Sequence, residues 1–249
     1  AFMRQRLGLG EVDAARIDER VVGTPFDYDR QCLLLAPLFL PDPGDDGNRY
    51  ARELGELLTD VLAATQGRSL VLFTSYDMLR KSAAALREAG GTIHRLLVQG
   101  ESGSRELITE VFRNDIHSVL FGTHSFWEGV DVVGESLSCL LLARLPFPVF
   151  TDPVMAARSE QIDQAGGSSF SEFSLPQAVI KFRQGFGRLI RHQDDCGIVI
   201  VTDRRLMTKP YGAVFRKSVA VRTQTFKDKA AFLATLAAAV QDMDTSAAG

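Results

Sequence analysis

Cysteine is scarce in this chain: Cys32, Cys139 and Cys196 are the only three in 249 residues, and no two share a C-x-x-C spacing. That excludes a disulfide framework and a zinc ribbon. No apolar run approaches the roughly 20 residues that a membrane span requires, since the longest, Ala230 to Val240, is broken by Thr235. No secretory signal pattern opens the chain, so an intracellular, cytoplasmic setting with no membrane contact is expected. Also missing are a G-x-x-x-x-G-K phosphate loop and an Asp-Glu pair closing an apolar strand, the two elements that hold nucleotide phosphates and their metal. The four histidines are dispersed, and neither His124 nor His192 has a Ser or Cys at a suggestive distance. Nucleophilic catalysis therefore finds no support.

What is present is an ordinary globular composition with an uneven distribution of charge. The net charge is −3 and 45% of residues are apolar, enough for a sizeable core. Between Lys181 and Lys229, however, twelve Lys and Arg face four Asp, a local balance of +8 against −11 for the remainder. A basic half beside an acidic half makes a polarised surface, and a basic stripe is the usual footprint of a polyanion. Charges scattered over several solvated faces are the alternative.

Short apolar runs alternate with helical patterns along the chain. The strand candidates are Gln31 to Ala36, Ser69 to Thr74, Ile93 to Val98, Ser118 to Gly122, Leu137 to Leu142 and Cys196 to Thr202, continuous and apolar as strands buried on both faces should be. Helices are predicted over Arg49 to Thr65, Asp77 to Ala89, Ser104 to Asn114, Asp152 to Ala165, Pro176 to His192 and Asp228 to Met243. This alternation predicts an α/β fold, a parallel sheet flanked by helices. Residues 1–30 read as a lead-in segment and 31–249 as one domain. Gly166-Gly167-Ser168-Ser169 reads as a flexible link into the helix that starts near Pro176, a residue suited to a first helical turn.

Ligands of open parallel sheets gather at the carboxyl ends of the strands. Thr74 to Tyr76, Gln99, Thr123 to Asp131 and Asp203 all follow strand candidates at that end, and the helix after Pro176 is expected to present its polar residues to the same neighbourhood. That helix carries Gln184-Gly185-Phe186-Gly187-Arg188-Leu189-Ile190-Arg191. Two interior glycines cost about 1 kcal/mol each against alanine, so a group is expected to approach the backbone closely. Arg188 and Arg191, three residues apart, point the same way and suit a phosphate. Trp127, the single tryptophan, reads as a core anchor in preference to a base-stacking platform.

The octet and the upstream Gly122-Thr123-His124-Ser125-Phe126-Trp127-Glu128-Gly129-Val130-Asp131 together resemble motifs VI and V of superfamily 2 helicases. The wording is most similar to the DinG/XPD family of DNA helicases. Val71-Leu72-Phe73-Thr74-Ser75-Tyr76 resembles that family's motif IV. Leu145-Pro146-Phe147-Pro148 resembles the proline-bearing segment after motif V in the DinG branch, and Arg6-Leu7-Gly8-Leu9 with Thr24-Pro25-Phe26-Asp27-Tyr28 resembles the passage between the two motor domains. The likeness spans nearly the whole chain. Val133 and Phe150 depart from it, each standing where proline is usual, as does His192, where a small polar residue is commoner.

The resemblance implies the second, C-terminal RecA-like motor domain of an ATP-dependent DNA helicase with a P-loop NTPase-type fold, a hydrolase of the DNA-repair kind moving 5′ to 3′ on single-stranded DNA. Arg188 and Arg191 then resemble arginine fingers toward the γ-phosphate, with Gln184 bonding the phosphate or the attacking water. Glu128, Gly129, Asp131 and Gly187 lie on the nucleotide side. Thr74, Ser75, Tyr76, Thr123 and Ser125 lie on the nucleic-acid side, where hydroxyls and amides position phosphates without reading sequence; Gln99, by its place after Val98, is a candidate for a similar backbone contact. ATP and Mg2+ are shared with an N-terminal motor domain supplied by the same protein, no metal is held by this chain, and any iron-sulfur cluster belongs to that other half. The chain alone is expected to be inactive in ATP hydrolysis. The start at Ala1, without an initiator methionine, favours a piece of a longer protein over a free-standing nucleic-acid-binding or interaction module, the alternative reading; a nuclease domain elsewhere would leave this domain's role unchanged.

Overall fold

A computed structural model describes residues 4, 7–20, 26–90, 94–127, 137–148, 153–190, 195–219 and 221–247. Seven strands form a parallel sheet: β1 (Cys32–Pro37), β2 (Ser69–Leu72), β3 (Leu96–Val98), β4 (Val119–Gly122), β5 (Cys139–Leu142), β6 (Gly197–Val201) and β7 (Arg222–Phe226). Their order across the sheet is β3-β4-β2-β5-β6-β1-β7. In the register, Leu70 lies beside Leu120 and Leu140, and Leu140 beside Val199. The six predicted strands are all present. β7 was not anticipated: its Arg-Thr-Gln-Thr-Phe sequence is polar and half-exposed, and it closes one edge of the sheet beside β1.

Strand side chains alternate between two apolar layers, the geometry expected of a sheet covered on both faces. Leu34, Leu72, Leu120, Leu142 and Val201 join one layer with Phe126, Trp127, Phe182, Phe186 and Phe215. Leu35, Val71, Phe121, Leu141 and Ile200 join the other with Tyr50, Leu54, Leu58, Leu79 and Phe232.

The helices follow the connections: α1 (Tyr28–Gln31), α2 (Gly47–Ala64), α3 (Tyr76–Glu88), α4 (Arg105–Asn114), α5 (His124–Trp127), α6 (Pro153–Gln164), α7 (Leu175–Leu189), α8 (Arg205–Thr208), α9 (Gly212–Val219) and α10 (Lys229–Ala247). Local chemistry sets their ends. Asp46 caps α2 by accepting from the Asn48 and Arg49 N–H groups, both at 3.0 Å, and Ser75 caps α3 by accepting from the Met78 N–H at 3.3 Å, each satisfying donors that the first turn leaves open. Gly90, at φ 74°, ends α3 in the left-handed conformation. Gly55 lets α2 and α3 touch, since a Cβ there would lie 2.5 Å from Ala85.

The link at Gly166 to Ser169 differs from the expectation of a loose tether. Asp163 accepts the Ser169 N–H and Glu172 accepts the Ser168 N–H, both at 2.9 Å, and a π-helical turn over Phe170–Ser174 runs straight into α7. Two carboxylates flanking the glycines supply partners that composition alone does not reveal.

Candidate functional site

The carboxyl ends of β2, β3 and β4 converge on one side chain. Gln99, the residue after β3, accepts the Thr123 backbone N–H at 2.7 Å and the Thr123 hydroxyl at 2.9 Å through Oε1. Its Nε2 donates to the Tyr76 hydroxyl at 2.6 Å and to Ser125 Oγ at 2.9 Å. A primary amide offers two donors and two acceptor lone pairs, so all four are engaged. Tyr76, from the start of α3, remains 47% exposed. Ser75 is exposed and Thr74 half-buried beside it. Thus Tyr76, Gln99, Thr123 and Ser125 form one hydrogen-bonded group on the rim, with Thr74 and Ser75 adjoining in sequence.

The segment after β4 opens with the helical turn α5. That turn buries Trp127, whose indole N–H donates to the Phe73 carbonyl at 3.3 Å; the indole is a core anchor. It also explains one of the two glycines in α7. A Cβ on Gly185 would lie 3.2 Å from the Trp127 ring, whereas one on Gly187 would meet none of the described residues within 4 Å. The close approach at Gly185 comes from the domain's own core, while Gly187 is exposed. Lys181 Nζ stands 5.7 Å from the Trp127 ring centroid, within cation–π range.

Helix α7 descends across the sheet face. Gly185 neighbours Leu142, the last residue of β5, whereas Leu189 packs on Gly197, the first residue of β6. Arg188, half-buried, therefore sits lower on the face than the rim loops, and Gln184, exposed, sits one turn nearer the rim. Arg191 and the motif V residues Glu128, Gly129 and Asp131 lie outside the described residues. Among the described residues no three His, Cys, Asp or Glu side chains gather as a metal site would require.

A second set of polar contacts, of which the sequence marked only Asp203, ties β5 to β6 at the same end. Buried Asp203 accepts the Leu145 N–H at 2.9 Å and pairs with Arg205, whose Nη2 approaches to 2.6 Å. The carboxylate's hydrogen bonds hold Arg205 more firmly protonated than a free guanidinium. The buried Tyr50 hydroxyl donates to the Ala143 carbonyl and lies 2.7 Å from Thr202 Oγ1; burial pushes its pKa well up. The signal available in the sequence was an Asp after an apolar strand with an Arg two residues on.

A family model described as the helicase C-terminal domain matches residues 58–222, more than half of the chain. The chain belongs to that family. Similar curated proteins include an ATP-dependent DNA helicase YoaA of Haemophilus influenzae, 40% identical over 89% of this chain and 33% of its own length. Others are an ATP-dependent helicase DinG of Mycobacterium tuberculosis, 39% identical over 82% of this chain and 30% of its own length, and a 3′-5′ exonuclease DinG of Bacillus subtilis, 36% identical over 86% and 23%. The chain thus spans a third or less of these relatives. Among solved structures, Xpd4 of S. tokodaii matches with a TM-score of 0.58 at 16% identity, covering 79% of this chain and 38% of that one, and an XPD helicase matches with the same score at 14% identity, covering 79% and 36%. Both share the RecA-like helicase-domain fold with this C-terminal domain.

Proposed function

We propose that this helicase C-terminal domain acts as the second motor domain of a DinG-like ATP-dependent DNA helicase, meeting single-stranded DNA on the Gln99 rim and nucleotide on the exposed face of α7. The observation that carries the reading is the Gln99 group: four of the six side chains on the nucleic-acid side are drawn into one polar cluster by a single amide. Hydroxyls held that way suit a phosphate backbone, whose contacts fix register without reading bases.

Arg188 and Gln184, with Arg191 beyond them, offer positive charge and an amide to a γ-phosphate. The bare backbone at Gly187 fits such an approach. Glu128, Gly129 and Asp131 complete the nucleotide side in this reading. A bound ATP with Mg2+ supplies the phosphoryl group and its counter-charge; the phosphate cradle and metal carboxylates fall to the N-terminal motor domain, as does any iron-sulfur cluster. The isolated chain is expected to bind DNA without hydrolysing ATP.

The test is ATP hydrolysis by the full-length protein with and without single-stranded DNA. Arg188→Ala is expected to lower the stimulated rate by about 10³-fold or more, the scale of a lost arginine finger. Undiminished hydrolysis in that variant would remove the finger role, and no DNA stimulation of the unaltered protein would remove the motor.

A further inference from the structure

The aromatic residues of one sheet face do not stop at the core. Phe182 and Phe215 are fully buried, with centroids 5.3 Å apart, and Phe215 reaches Phe147 at 5.6 Å. Phe147 then stacks on Phe170 at 5.8 Å with 27° between the planes. Tyr211 closes edge-on against both, 5.5 Å from Phe147 and 5.3 Å from Phe170. The series ends at the surface: Phe170 is 43% exposed and Tyr211 half-buried.

Phe170 is exposed and yet fixed. It opens the π-helical turn before α7, a form found mostly as single turns and often at functional sites. Asp163 and Glu172, the nearby carboxylates, are committed to the N–H groups of Ser169 and Ser168. Along the chain, the stretch that carries Tyr211 is basic: from Asp203 to Arg222 the sequence holds six Lys and Arg against one Asp. Of these, Arg205 lies 5.8 Å from the Phe147 centroid and is paired with Asp203. Phe147 follows β5 and Tyr211 follows β6, so the rings stand on the same rim as Gln99. β6 is four strands from β3 in the sheet order, a distance of roughly 19 Å at the usual strand spacing.

We propose that Phe170, backed by Phe147 and steadied by Tyr211, is a base-stacking platform for single-stranded nucleic acid, separate from the Gln99 cluster. A base laid on Phe170 extends a stack of two rings already in series, and stacking of this kind tolerates any base because each has a π-face. The inference rests on the reading of the rim as a nucleic-acid surface. It adds to the phosphate-directed cluster a place that grips bases, at the head of the helix carrying Gln184 and Arg188.

The test measures binding of the full chain to a short oligothymidylate carrying one 2-aminopurine, beside a matched oligonucleotide with abasic positions. Phe170→Leu is expected to weaken binding of the intact strand by about 5- to 150-fold, the range for one lost stacking contact, and to reduce the quenching of 2-aminopurine. Phe170→Trp is expected to restore both, and the abasic strand is expected to bind the three proteins alike. Equal binding of the intact strand by wild type and Phe170→Leu, with salt-sensitive affinity retained, overturns the platform and leaves the rim reading standing. Binding of neither strand by the wild type overturns both. Unchanged DNA binding with a Phe170→Leu defect only in docking a second protein assigns the rings to a protein interface and overturns the platform.

Discussion

Gln99 and Thr123 are joined twice, by the 2.7 Å bond from the Thr123 backbone N–H and the 2.9 Å bond from its hydroxyl, both ending on Gln99 Oε1. Because the amide's other end holds Tyr76 and Ser125, one side chain sets the mutual placement of residues from α3, the end of β4 and α5. Loss of a half-buried hydrogen-bonded amide leaves donors and acceptors unmatched at about 1–3 kcal/mol.

Gln99→Leu is accordingly expected to weaken single-stranded DNA binding more than any single change among Tyr76→Phe, Thr123→Val and Ser125→Ala. Thermal unfolding should fall by only a few degrees, since the cluster lies at the surface of an intact sheet. Fluorescence anisotropy with an oligonucleotide, measured for the four variants at one salt concentration, checks the ranking. A Gln99→Leu effect no larger than that of Ser125→Ala would deny the amide its organising part.

The two glycines of α7 separate packing from access. Gly187→Ala meets none of the described residues within 4 Å and is expected to raise stability by about 0.5–1 kcal/mol through helix propensity. Gly185→Ala presses on the buried Trp127 ring at 3.2 Å, where a rigid indole gives little, and is expected to be about 1–2 kcal/mol less stable than Gly187→Ala. Denaturant unfolding of the two variants measures this difference. If a nucleotide phosphate approaches at Gly187, the more stable variant should also show reduced DNA-stimulated ATP hydrolysis in the full-length protein.

The sheet and its flanking helices were legible because every strand but one is buried on both faces and so reads as an apolar run, as in Cys139-Leu140-Leu141-Leu142. β7 was not, since an edge strand with polar Thr and Gln carries no such run. The short helices α8 and α9 were missed for a related reason: Pro210 and Gly212 break the pattern between Arg204 and Val219. Motif wording marked Tyr76, Thr123 and Ser125, and a strand end marked Gln99, each separately, but the bonds that unite them span 23 to 26 residues of sequence and depend on β3 and β4 pairing. Likewise, Gly185 advertised a close approach without saying whose; only the fold brings Trp127 to it.

Asp203 tests how far the rim depends on its buried ion pair. Removing one member of such a pair strands the other charge, typically at about 3–5 kcal/mol. Asp203→Ala would also orphan the Leu145 N–H. The expected fall in Tm is about 6–20 °C at this chain length, with Asp203→Asn milder because the amide oxygen still accepts that bond. Circular dichroism melts check the order. Equal Tm values for Asp203→Ala and wild type would mean that Arg205 finds another anchor.

Alkaline pH probes the core from another side. Burial pushes the Cys32 and Cys139 thiols up to about 12, against about 8.5 in an unfolded chain. Between those values the unfolded state has lost protons that the folded state keeps, so stability falls as pH rises. The thiols' contribution is complete below about 8.5 and declines by up to about 1.4 kcal/mol per pH unit for each thiol above it. Urea midpoints should therefore drop between pH 9 and 11, and Cys32→Ala with Cys139→Ala should flatten that drop even though both lower stability at pH 7. Iodoacetamide at pH 8 should label the exposed Cys196 in the native protein and all three thiols in urea, as read by mass spectrometry. Rapid native labelling of Cys139 would show that the β5 core opens far more readily than its burial implies.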